Sequence, residues 1–484
     1  MKRAEGSVSV FLALTITLAL SFCMVLIESA RENTMLLKAD VIFDTGAQCL
    51  LAEYHQVLWE DYDLFYIDSS YGTDMPDYEL VKQHLKGYID RNLGYDNGGW
   101  LGLWYEGAVI FDVALATDFG GKDFYMQAVE AAEASVGIPY IEQILGWLNQ
   151  VESVQDIGQS MTEQKKEAGH AIADADGTEV LVKEAVWGQK ADGTPVLLEE
   201  AEYETVDIDN PLEQIASANV LLRQIVPDYT KVSTVKVNTS ALASHRELAA
   251  GSMAENNADD SVWNSMWNKS LFCKYVLDHF AAYTDMKAGA SEVNDLDETD
   301  FYEEQGKLQY ELEYLIGGMN ADAQNMEVVV AELLAIREID NYLLLLQDET
   351  KQLEAHSIAT VAAALVPWLE PVVAQALLLY WAYEDSIADL QTLLNGGEVA
   401  LVKSVPLDAM ANFTLGYEEY LIILILLQSR ETLTMRAMDL IELSVRQKQS
   451  AFRMDGCISQ AYLLGSFQDN YCKEYTISKK LVYY

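Results

Sequence analysis

The chain has 484 residues, with 31 Lys plus Arg against 76 Asp plus Glu, a formal net charge of −45. So large an acid surplus repels the phosphates of nucleic acid and of anionic lipid, and excludes the basic footprint that either partner demands. Half of the residues are hydrophobic and only 8 are proline, which excludes a chain disordered by composition and favours long helices in two or three domains.

Val8 to Ile27 comes first: an apolar run without a charge. As a helix it is ~30 Å long, the thickness of a bilayer's hydrocarbon core. Lys2 and Arg3 precede it, with Glu5 the one nearby acid. Basic flanks stay cytoplasmic, so residues 1–7 are expected inside and everything after the span outside the cell membrane. A cleaved signal peptide fits less well. The apolar run is longer than the usual stretch of about 7–15 residues, and Glu28 spoils the small-x-small site that would end at Ala30. Phe22 stands where a lipoprotein cleavage box before Cys23 needs a small residue. The expectation is an uncleaved single-pass anchor.

Residues 28–59 read as a juxtamembrane helix. Phe43, Ala47, Leu50, Tyr54 and Val57 form one apolar stripe, and Gly46 permits a close neighbour. A stalk packed against a head and an ordinary amphipathic core helix both fit this pattern. Residues 60–256 read as a mixed α/β exported lobe, opening on many aromatics. Tyr95-Asp96-Asn97-Gly98-Gly99-Trp100 suggests a sugar platform, although core and interface packing is the plainer role for such rings. Val109–Ala114 reads as strand or helix, and Asp123–Gln150 as helix. A polar insertion spans 155–210, with hairpin-type turn dipeptides Asp176-Gly177 and Asp192-Gly193 and strands expected near Val180–Trp187 and Pro195–Leu198. Asp174-x-Asp176-Gly177 lacks the third acid and the closing glutamate of a calcium loop, and Asp295, Asp297 and Asp300 lack the central glycine. Both read as solvated turns. A helix over Asp209–Val226 is expected, with Asp209 as cap and Pro211 in its first turn.

Residues 257–448 read as a helical lobe. Within it Ile358–Tyr383 is apolar, but Pro367, Glu370 and Pro371 cut it into pieces of about 10 and 12 residues, which suit buried helices better than spans. Tyr420–Leu427 is too short to cross. Residues 449–484 read as a C-terminal β-hairpin with strands Ala451–Gly465 and Glu474–Tyr484. Tyr475, Ile477, Leu481 and Tyr483 alternate with polar residues, and Gly465-Ser466 or Asp469-Asn470 supplies the turn. Cys457 and Cys472 can face each other across the hairpin as a disulfide, or lie buried separately. With Cys23 in the span, no disulfide framework is implied.

No phosphate loop, zinc-protease motif, Cys-x-x-Cys or nucleophile elbow occurs. The six histidines are scattered without metal-ligand spacing. The reading is therefore non-catalytic, with no catalytic, cofactor or metal residues to name, no cofactor, and no nucleic acid partner.

Gly6-Ser7-Val8-Ser9-Val10-Phe11, then Ala13-Leu14, Glu28, Arg31 and the small-residue-rich stretch Ala39–Ala52, resemble the TadG-like group of Tad (Flp) pilus-assembly proteins. The resemblance covers about a tenth of the chain. It implies a pilin-like N-terminus, partners among other pilin-like or Tad assembly proteins through that helix, and leader cleavage between Gly6 and Ser7. Phe11 departs from the pattern of polymerised pilins, which carry glutamate there to pair with a neighbour's freed amine in lipid. The departure implies an accessory role in assembly or secretion. Gln309–Gly318 and Leu393–Glu398 resemble a region of membrane proteins of Gram-positive anaerobes that have unknown function. The expected fold is α+β and predominantly helical: a transmembrane helix, a helical stalk, a mostly α exported region and a small C-terminal hairpin. A membrane-anchored ectodomain that binds or hydrolyses wall polymer or carbohydrate is the alternative.

Overall fold

The computed structural model describes residues 2–73, 75–94, 101–134, 138–190, 194–215, 218–226, 232–254, 265–285, 307–403 and 414–483. In chain order the elements are α1 (Lys2–Leu51), α2 (Gln56–Tyr62), β1 (Ile67–Asp68), α3 (Tyr78–Leu93), β2 (Leu103–Leu115), α4 (Asp118–Glu133) and α5 (Ile138–Ala175). The short strands β3 (Glu179–Lys183), β4 (Val186–Gln189), β5 (Pro195–Glu199) and β6 (Glu202–Thr205) follow. Then come α6 (Ala218–Ile225), α7 (Met266–His279), α8 (Glu311–Gly317), α9 (Asp322–Gln347), α10 (Glu349–Ala362) and α11 (Glu370–Leu394). The chain closes with β7 (Val399–Ala400), β8 (Thr414–Leu415), α12 (Tyr417–Leu427), α13 (Arg430–Lys448), β9 (Cys457–Asp469) and β10 (Glu474–Val482). The fold is α+β and mostly helical, as expected.

Two compact units form, and neither is continuous in sequence. The first gathers residues 1–131, 240–263 and 441–484; the second gathers 132–239 and 264–440. The linear boundaries at 60, 257 and 449 do not coincide with these, because strand pairing draws the C-terminal residues back to the N-terminal ones.

The first unit is built on an antiparallel sheet in which β9 is central. It pairs with β10 along one edge, with β2 along the other, and with β1 at its own start. The C-terminal hairpin is thus part of a larger sheet. Its turn is Asn470–Lys473; Gly465 lies mid-strand, opposite Ile477 and Ala108. Asp469 shapes the turn by accepting the amides of Tyr471 and Lys473 at 2.8 and 2.9 Å. The second half of α1 lies on this sheet and on α3. Its buried stripe runs Arg31, Met35, Ala39, Ile42, Phe43, Ala47 and Leu50, the three-and-four spacing of a helix with one covered face. α1 ends at Leu51, so Tyr54 and Val57 belong to the bend and to α2. Two glycines allow the close approach. A Cβ on Gly46 would meet Ile89 of α3 at 2.9 Å, and one on Gly465 would stand 2.4 Å from the Phe43 ring. That ring therefore covers the bare backbone of β9, with Phe467 edge-on to it at 6.0 Å.

The segment 240–254 is tied in by charge. Arg246 pairs with Glu442 and with Asp455 at 2.5 and 2.7 Å, and Arg453 pairs with Asp455 at 2.6 Å. Burial opposes the Asp455 charge, but the bonds from Arg453, the Ala249 amide and Arg246 outweigh it and bring its pKa down to about 2.

In the second unit α9 and α11 pack together, with α5 and α10 beside them. The core includes Met161, Ile172, Ile339, Leu345, Ala359, Leu369, Val373 and Leu379. Residues 155–175, read above as part of a polar insertion, belong to α5, and the short strands after it pair β3 with β6 and β4 with β5. Asn210, and not Asp209, caps a short turn at Pro211–Gln214, ahead of α6. Ile358–Tyr383 is split between α10 and α11, and its buried residues join this core. Tyr420–Leu426 is buried within α12. Arg337 is enclosed, held by Asp340 and Asp389 at 3.1 and 3.0 Å and by the carbonyls of Ala400 and Leu401.

Phe43→Ala is expected to destabilise the first unit by about 3–5 kcal/mol through the cavity it leaves. Gly465→Val, which improves intrinsic strand propensity, is expected to destabilise as well, because the ring occupies the new side chain's space. The two losses should be less than additive in the double variant. Denaturant unfolding of the full chain in detergent measures all three; a stabilising Gly465→Val would refute the stacking argument.

Candidate membrane-anchoring interface

Between Val8 and Ile27 every side chain of α1 is exposed, and beyond Arg31 one face is covered. Among the described residues α1 is the one helix long and apolar enough to cross a membrane. Its few hydroxyls are satisfied within the helix: Thr15, Thr17 and Ser21 donate to the carbonyls of Leu12, Ala13 and Thr17 at 2.7–2.9 Å. A helix that closes its own polar groups in this way suits lipid. The backbone is already helical at Gly6 and Ser7, the residues flanking the expected leader cleavage. Phe11, in the place of the pilin glutamate, is 67% exposed.

The change of environment is marked by a cluster around Arg31. Its guanidinium donates to Glu28 at 2.7 Å and to Asp469 at 2.9 Å, and lies 4.5 Å from the Tyr471 ring centre. Lys473 of the same turn pairs with Glu32 at 2.5 Å. Burial opposes the Asp469 charge, but the Lys473 amide, Arg31 and the Tyr471 amide outweigh it and lower its pKa. The hydrogen bond to Glu28 is the main cause that raises the pKa of Arg31. The helix is thus clamped to the β9–β10 turn one turn past the apolar run.

A second clamp lies at the other end of α1. Glu53 accepts from Tyr71 at 2.8 Å, from His84 at 2.9 Å and from Tyr88. The Tyr71 and His84 rings stack at 4.1 Å. His84 and Tyr88, four apart on α3, were the only local hint of it in the sequence.

Cys457 and Cys472 are not brought together. Cys457 is buried at the start of β9, opposite Asp68 of β1, and Cys472 is exposed in the distant turn; both are free thiols. The disulfide expectation is corrected by this register: the strand between them is 13 residues long. The aromatic run Tyr95–Trp100 and the acids Asp295, Asp297 and Asp300 lie outside the described residues. Asp176 accepts the Ile208 amide at 3.2 Å, a turn contact. Among the described residues no group of three or more His, Cys, Asp or Glu is placed to hold a metal.

The quoted segment Gln309–Gly318 contributes α8, where Glu311 and Glu313 are buried. Glu313 accepts from the Tyr283 amide and the Tyr417 hydroxyl, both at 2.9 Å. Burial outweighs these bonds and pushes its pKa up to about 7.

The class defined here is a chain whose long N-terminal helix is bare and apolar in its first half and built into an α+β head in its second. By sequence it belongs to a family of unknown function, DUF5702, whose family model matches residues 201–406 and 408–468, more than half of the chain. No curated protein and no solved structure matches it.

Because Glu313 binds its proton more tightly folded than unfolded, stability should fall as pH rises from about 4.5 to about 7 and level off above. Glu313→Gln, which keeps the acceptor and removes the charge, should flatten that fall and stabilise the chain at pH above about 7. Melting curves across this range check it; an unchanged slope in the variant would show that Glu313 does not carry the effect.

Proposed function

We propose that the chain is a non-catalytic, single-pass surface protein acting as an accessory, pilin-like component of Tad/Flp-type pilus assembly or secretion. Its leader lies in the cytoplasm and its acidic head outside the cell. The observation that carries this reading is the two-part use of α1. A bare apolar half is available for lateral packing in the membrane, and the other half is laid along an antiparallel sheet. Pilin-like proteins are built on that plan. Phe11 favours the accessory role over the shaft subunit, because no acid at that position can meet a neighbour's amine in lipid.

Protease added to wall-stripped cells should digest the chain beyond Arg31, and N-terminal sequencing should show either the intact leader or Ser7. The protein should stay with the membrane and co-purify with assembly proteins in substoichiometric amounts. Sheared filaments in which this chain is the major component would overturn the accessory reading, and complete protection of the head would overturn the orientation.

A further inference from the structure

We propose that the lower end of the first unit's sheet is itself a lipid-contact surface: Trp104 and Tyr471 sit in the headgroup layer beside the point where α1 leaves the bilayer. The proposal rests on α1 spanning a membrane and is independent of any role in pilus assembly.

The geometry sets the height. Arg31 lies four residues past Ile27, about 6 Å along a helix axis. The interfacial layer on each side of the hydrocarbon core is about 5–7 Å deep. Arg31 is bound to Asp469 and lies against the Tyr471 ring, so the β9–β10 turn is held within that layer. Trp104, at the start of β2, pairs with Gln468, and its indole N–H donates to Asn470 at 2.9 Å, which places it beside the turn.

The chemistry matches that depth. Trp104 is 51% exposed and Tyr471 65%. Large apolar side chains so exposed are costly in water, whereas Trp and Tyr concentrate at membrane–water interfaces, where a ring is buried and its polar edge stays wet. Arg31 is paired with Glu28 and Asp469, and Lys473 with Glu32. With exposed Glu474 beside Lys473 this end keeps an acid surplus, which a zwitterionic lipid surface, carrying no net charge, does not repel. The occupant of the patch is the bilayer that receives α1, because the same contacts fix both to one level.

The test uses the full chain reconstituted in phosphatidylcholine vesicles, with Trp104→Phe as the difference probe. Wild-type emission should contain a component, lost in the variant, that is quenched by lipids brominated near the head of the acyl chain. Lipids brominated near the methyl end should quench it less, and aqueous acrylamide should reach it poorly. Tyr471→Trp in the Trp104→Phe background should restore a component with the same pattern, which guards against a local folding defect in either variant. Quenching of both components by acrylamide, with neither brominated lipid effective, would overturn the lipid seat. If the chain then still resists alkaline extraction from the vesicles, the spanning of α1 stands and the seat alone has failed. Extraction of the chain would overturn both.

Discussion

A single helix here is bare and apolar over one half and covered over the other, and the place where it changes governs the first unit. From Val8 to Ile27 every side chain of α1 is exposed. From Arg31 on, one side of the same helix is the floor of a sheet. Arg31 is the first buried side chain of the covered stripe and also its most polar one. A buried guanidinium is tolerable only when its charge is met, and Asp469 meets it from the far end of the sequence. Once that bond forms, β9 is placed lengthwise on α1, Gly465 falls under Phe43, and β2 and β10 follow by pairing with β9.

Buried charge is used repeatedly in this way, and each time it joins segments that are remote in sequence. Arg246 gathers Glu442 and Asp455; Arg337 gathers Asp340, Asp389 and the carbonyls of 400–401; Lys165 reaches Glu338. In a chain with a surplus of acids, the scarce cations are the selective element. Arg246 and Arg337 each face two carboxylates, so a misplaced acid finds few cations left to neutralise it. Such networks add little net stability relative to apolar packing, but they penalise wrong pairings heavily.

Elements whose signal is local were legible in the sequence. The apolar run, the stripe of Phe43, Ala47 and Leu50, the proline break at 367 and the alternation of Tyr475, Ile477 and Leu481 each state their structure within a dozen residues. What was not legible depends on a distant partner. β2 reads ambiguously because its bulges near Gly107 and Asp112 break the alternation, and the strand it pairs with, β9, lies some 350 residues later. Among the described residues of its second half, α5 buries Met161, Ala168, Ile172 and Ala175, a stripe too sparse to stand out from polar neighbours. Gly465 looks like a turn residue until a ring is seen to need its empty side. At the anchoring interface, the span and Arg31 were visible; Asp469, Tyr471 and Trp104 were not, since nothing near them announces the helix they meet. The cysteine pair failed for the converse reason: sequence proximity on a hairpin does not imply opposite register.

The division of the first unit among three separated segments has a consequence for biosynthesis. The face of α1 from Met35 to Leu50 is finished early, but the strand that covers it, β9, is made some four hundred residues later. At translation rates of about 5–20 residues per second, that interval is roughly 20–80 s. The span, by contrast, is available to the membrane almost at once. For most of its synthesis the nascent chain therefore carries the complete apolar half of α1 and an adjoining oily flank uncovered, while the second unit acquires its own residues in between. Lateral association of that flank with lipid or with a neighbouring helix competes with correct closure throughout this window, and release from it waits on the last thirty residues.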